Sequence, residues 1–159
     1  GPQDHAPIER RDDVLVFTGP ELLEPLEVTG FVEAVLYASS DARDTDFIAR
    51  LCDVYPDGRS IGVCDGIIRA RFREGLDREV FLHPGRVEEF RIELGAPSNT
   101  FLPGHRLRLE ITSSCFPRFN RHLNTEEPLA TGTVMQCARQ TVHHCRAYPS
   151  RLLLPIVDT

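Results

Sequence analysis

A chain of 159 residues, 41% apolar and 26% charged, is long enough for one domain with its own two-layer core and too apolar to be disordered. Its formal charge of −6 includes 18 basic residues, all arginine and scattered among acidic neighbours, which excludes the concentrated basic footprint of a nucleic-acid binder. No apolar run approaches the ~18 residues of a membrane-spanning helix, so no membrane partner is expected.

Taken in chain order, Phe31–Ser39 and Phe47–Tyr55 are nearly continuous apolar runs, as expected of strands covered on both faces at the centre of a sheet. Pro56-Asp57-Gly58-Arg59 follows as a hairpin turn, and Asp65-Gly66 reads as the next turn. Ile68–Arg73 alternates apolar residues with arginine and predicts a half-buried strand. Beyond the Pro84-Gly85 turn, Glu89–Leu94 repeats the pattern; beyond Pro103-Gly104, Arg106–Thr112 gives its clearest instance, with Leu107, Leu109 and Ile111 on one face. Phe116–Gly132, rich in Asn, Arg, Thr and Pro, is the longest loop. With 12 prolines, 11 glycines and no sustained 3.6 period, the reading is an all-β, jelly-roll-like β-sandwich of about eight strands, a single domain over residues 1–159.

The candidate chemistry is thin. Gly58-Arg59-Ser60-Ile61-Gly62 matches the G-x-S-x-G nucleophile elbow, but that device needs a strand turning into a helix, whereas this stretch is a hairpin turn entering a strand, so Ser60 is read as a chance match. His143, His144 and Cys145 are adjacent on a strand and point to alternating faces, which prevents them from sharing one ion. Asp41, Asp44 and Asp46 fit no EF-hand spacing and are read as turn or strand caps. His5, His83, His105 and His122 show no evident partners. Neither a catalytic residue, a metal site nor a cofactor is therefore expected. Five cysteines, Cys52, Cys64, Cys115, Cys137 and Cys145, form an odd set without C-x-x-C spacing and read as reduced, mostly buried thiols, with Cys52 and Cys137 in strand patterns and the protein in the cytoplasm. A sandwich of this kind also suits an independent carbohydrate- or protein-binding module, although sugar sites favour flat aromatic platforms and the chain has no Trp.

Ordered segments over nearly the whole length carry a resemblance: Arg11-Asp12-Asp13-Val14-Leu15, Leu26–Gly30, Asp44–Phe47, Asp53-Val54-Tyr55-Pro56-Asp57-Gly58-Arg59, Asp65-Gly66-Ile67, Leu102-Pro103-Gly104-His105-Arg106, Ser113–Phe119, Asn124-Thr125 and Pro149–Leu152. On these the chain resembles the C-terminal domain of the X-Pro dipeptidyl-peptidase and cocaine esterase family of serine hydrolases, of galactose-binding-domain-like fold. Ser60 stands where relatives tend to carry Ala, which agrees with its dismissal as a nucleophile. The resemblance implies a parent whose Ser-His-Asp triad lies in an N-terminal α/β-hydrolase domain, absent from this chain, that cleaves ester or amide bonds. It implies that the present domain packs against that partner, helps close its active-site cleft and supports the parent or a homodimer. The resemblance further implies roughly 350 to 400 upstream residues, enough for one or two further domains, and the start at Gly1 is read as that of a piece cut from its parent. Within the long loop, Phe116, Pro117, Arg118, Phe119, Asn120 and Asn124 are the interface candidates, since apolar area beside directional hydrogen-bonding groups is the composition of an interface.

Overall fold

The alternation at Arg106–Thr112 is a strand over those same residues in the computed structural model, which describes residues 3–157. Among the described residues eleven strands are formed, β1 Val14–Thr18, β2 Leu26–Thr29, β3 Val32–Ser40, β4 Asp46–Val54, β5 Ser60–Arg69, β6 Glu88–Gly95, β7 Ser98–Phe101, β8 Arg106–Thr112, β9 Gln140–Cys145, β10 Tyr148–Pro149 and β11 Arg151–Leu153, with 3-10 turns at Ile8–Arg10 and Ala70–Phe72. The count exceeds the expected eight because β2, β7, β10 and β11, of two to four residues, are each too short for alternation to register.

One sheet runs β1-β8-β4-β5 and the other β10-β9-β3-β11, with β6 on the far side of β3; β2 and β7 form a separate ribbon. Neighbouring strands pair antiparallel throughout. The inner faces meet where alternation requires. Phe47, Ala49, Leu51 and Ile111 of the first sheet oppose Ala34, Leu36, Ala38, Phe90 and Ile92 of the second, and the Phe47 and Phe90 rings lie 4.8 Å apart across the sandwich. Val28 and Phe101 from the ribbon complete the core. The two continuous apolar runs are β3 and β4, the central strands of their sheets, and β4 is buried at every residue.

Three sequence expectations are corrected here. The strand beginning near Ile68 stops at Arg69, because Ala70–Phe72 coils into a 3-10 turn that carries Arg71 inward to 1% exposure; a strand pattern had placed that arginine in solvent. Asp65-Gly66 is no turn but lies inside β5, opposite Arg50 and Ala49. There the glycine permits close approach of β6: a Cβ built at Gly66 would sit 1.9 Å from the Glu93 carbonyl oxygen. Of the five free thiols only Cys52 is buried, with Cys64 and Cys115 half-buried and Cys137 and Cys145 exposed. Cys137 misled because the residues around it form irregular chain and not a strand. The Pro56-Asp57-Gly58 turn joins β4 to β5 as expected, with Gly58 at φ +91° and the Asp57 carboxylate accepting from the Arg59 amide at 3.1 Å.

Candidate functional site

The outer face of the first sheet is buried too, and not by apolar groups. Residues 3–13 fold back across it: the His5 amide donates to the Ser60 carbonyl at 2.7 Å, and the Asp13 carbonyl accepts from Thr112 at 3.0 Å. Beneath them Arg50 of β4 stands opposite Glu110 of β8 and Asp65 of β5. Its Nη1 donates to Glu110 at 3.0 Å and to His5 Nδ1 at 3.0 Å; its Nη2 reaches Cys115 Sγ at 3.1 Å and Asp65 at 3.5 Å. Burial, followed by the charge of Arg50, pushes the His5 pKa down and keeps the ring neutral, so Nδ1 can accept from the guanidinium. Burial pushes Glu110 up, against the pull of Arg50.

A second buried network fixes the long loop, which runs irregularly between β8 and β9. Asp44, fully buried, accepts from the Arg71 amide at 2.9 Å, from Arg71 Nε at 2.5 Å and from His122 Nε2 at 2.8 Å. Arg71 Nη2 then donates to the Thr125 and Glu127 carbonyls at 2.9 and 3.1 Å. Asp44 is thus the anchor of a loop and not a local cap. Asp46 pairs with Arg69 at 2.8 Å, while Asp41 does cap, accepting from the Arg139 amide at 2.7 Å. The expectation of partnerless histidines also fails, since His5 binds Arg50, His122 binds Asp44, and His105 binds Asp53 at 2.8 Å. Each partner is at least 45 residues away in the chain, beyond any local pattern.

Burial alone would raise the Asp44 carboxyl, but hydrogen bonds from His122 and Arg71 overcome it and hold the group below its usual range. A carboxyl depressed in the folded state stabilises fully above its unfolded pKa near 3.8 and ceases to do so as pH falls through the folded value. Asp44→Asn should therefore flatten the acid limb of the stability curve between about pH 4 and pH 2. Urea midpoints across that range test this, and an unchanged slope in the variant would contradict it.

Between residues 3–13 and the long loop opens a cleft of about 1400 Å³, with Arg50, Asp65, Glu110 and Cys115 on its floor and Phe116, Pro117, Arg118, Met135 and Cys137 along its wall. Of the interface candidates, Phe116 (68% exposed), Pro117, Arg118 and Asn120 are open to solvent and Phe119 is half-buried. Arg118 pairs with Asp65 at 3.0 Å while 61% of its side chain stays exposed, so Asp65 joins this arginine to the buried Arg50. Asn124 is committed within the domain. Its Oδ1 accepts from Thr45 at 3.0 Å, its amide donates to His122 Nδ1 at 2.8 Å, and it holds φ +60°. Ser60 is fully buried where β5 begins, its hydroxyl without a hydrogen-bond partner among the described residues. Sequence reasoning missed Arg50, Asp65 and Glu110. The available signal was a charge inside the apolar run Phe47–Tyr55 that faces a second charge in Arg106–Thr112 once those strands are paired.

Residues 2–153 match the family described as the X-Pro dipeptidyl-peptidase C-terminal non-catalytic domain. The chain is 45% identical to cocaine esterase of Rhodococcus sp. (strain MB1 Bresler) over 159 residues, 99% of this chain and 28% of that protein. Among solved structures it is similar to an aminopeptidase from a marine-sediment Thaumarchaeota archaeon (33% identity, TM-score 0.94), covering 99% of this chain and 28% of that one. It is also similar to an α-amino acid ester hydrolase (32% identity, TM-score 0.92), covering 98% and 27%. The chain thus spans little more than a quarter of each of these relatives.

Proposed function

This chain belongs to the X-Pro dipeptidyl-peptidase C-terminal non-catalytic domain family, and from that membership we propose that it is the accessory domain of a serine hydrolase, packed against an N-terminal α/β-hydrolase domain of the same polypeptide and walling its active-site cleft. Relatives named as an esterase, an ester hydrolase and an aminopeptidase point to a parent that attacks ester or amide carbonyls. The chemistry belongs to that catalytic domain: serine attack, proton transfer by histidine and stabilisation of the oxyanion. Five free cysteines support a reducing, cytoplasmic setting.

The observation that carries the reading is the cleft wall. Phe116 stands 68% exposed on a loop whose other end is fixed to the sandwich through Arg71 and His122. With exposed Pro117 and Met135 lining the same cleft, it offers contiguous apolar area of the kind that marks an interface. Phe116→Ala should cost about 1–3 kcal/mol of stability in the full-length hydrolase, where the ring is covered, and less than about 0.5 kcal/mol in the 159-residue chain. Denaturant unfolding of both forms decides it. Equal losses in the two would remove the loop from the interface.

A further inference from the structure

Glu9, on the 3-10 turn that lies over the first sheet, has an 8% exposed side chain and two unlike oxygens. Oε2 takes an ion pair from Arg108 at 2.5 Å, while the buried Oε1 has no hydrogen-bond partner among the described residues. A carboxylate oxygen of Glu9, the Cys52 sulfur and a carboxylate oxygen of Glu110 lie within 4.8 Å of one another. Glu110 is divided in the same way, with Oε2 on Arg50 at 3.0 Å and Oε1 facing the thiol at 3.3 Å. Each arginine thus grips the far oxygen of one carboxylate and turns the near one inward, as outer-shell groups orient metal ligands. The fully buried Ser60 hydroxyl, on the same sheet face, lies beside the Cys52 thiol and acts to lower its pKa, and it has no other hydrogen-bond partner among the described residues.

A buried oxygen without a partner demands an occupant. A proton shared by the two carboxyl groups would satisfy Glu9 but add nothing at the sulfur or at the Ser60 hydroxyl beside it. A cation answers all of them at once. We propose that Glu9, Cys52 and Glu110 form a zinc(II) site, with Ser60 Oγ beside the fourth position. One thiolate with two carboxylates is a borderline-soft donor set, which suits zinc and disfavours calcium or magnesium. On binding, the S–H bond breaks, the sulfur keeps the electron pair as its bond to zinc, and one proton is released to solvent. The ion ties residues 3–13 to β4 and β8, which no spacing motif announces because the ligands come from three separate segments.

The test uses Zn²⁺ as the probe on the purified 159-residue chain. Metal analysis after exposure to micromolar zinc and dialysis should find about one ion per chain, and Co²⁺ in its place should give a thiolate-to-cobalt absorption band. Cys52→Val keeps an apolar side chain at the position; with its fold verified by circular dichroism, it should weaken binding by roughly two orders of magnitude and abolish the band. Cys115→Ser should leave both unchanged. A wild-type chain that takes up no zinc would mean that a proton alone occupies the site and would overturn the assignment, as would binding that survives Cys52→Val or disappears in Cys115→Ser.

Discussion

Arg71→Ala is expected to destabilise the chain by about 3–5 kcal/mol, because removing one partner of a buried ion pair leaves the other charge uncompensated. Asp44 is fully buried and would keep only His122 as a side-chain donor. The same change strips the Thr125 and Glu127 carbonyls of a donor and Glu79 of its ion pair, so the loop should loosen as well as the core. Both effects are measurable. The urea midpoint should fall at little-changed m-value, and amide exchange should quicken around residues 122–127 before it does so in β4. The double variant Arg71→Met with Asp44→Asn removes both charges and should recover part of the loss. A shift below about 1 kcal/mol for the single variant would mean that water reaches Asp44 and that the loop is held elsewhere.

Gly66→Ala should cost about 3 kcal/mol or more, the upper end for overpacking, because the obstacle is backbone and not a flexible side-chain tip. Its Cβ would meet the Glu93 carbonyl oxygen at 1.9 Å and the Leu94 Cα at 3.2 Å, so β5 and β6 must separate to admit one methyl group. Gly85→Ala is the matched control. That glycine sits at φ +79° with nothing near the added carbon, and the change should cost only about 1 kcal/mol of backbone strain. Comparable losses at the two positions in thermal or urea unfolding would show that the strands yield and that Gly66 is not a fixed contact.

Both variants fall where sequence reasoning erred, and for one reason. Alternation reports which face of a strand is apolar and a continuous apolar run reports a strand covered on both, so Arg106–Thr112 and the two central strands were legible from residue order alone. It cannot report a face covered by a distant part of the chain. Arg71 carried a surface pattern because its counter-charge, Asp44, lies 27 residues earlier. Gly66 resembled a turn because glycine next to aspartate is usually one, whereas its actual requirement is set by Glu93. Phe116, Arg118 and Asn120 could be chosen from loop composition, but the group at the cleft floor depends on pairing three strands in register, and a linear reading supplies no register.

The strap formed by residues 3–13 has a consequence for vectorial synthesis. Its two firmest ties to β8, Glu9 to Arg108 and Asp13 to Thr112, each span 99 residues. At the ~5–20 residues per second of translation, the segment waits several seconds outside the ribosome before its seat exists. During that wait Glu9 and His5 remain hydrated, and they give up water only when β8 closes the sheet. The opening segment of this domain is thus among the last parts of it to be fastened, and a nascent chain stalled before β8 should expose Asp4–Asp13 to proteases that the finished domain resists.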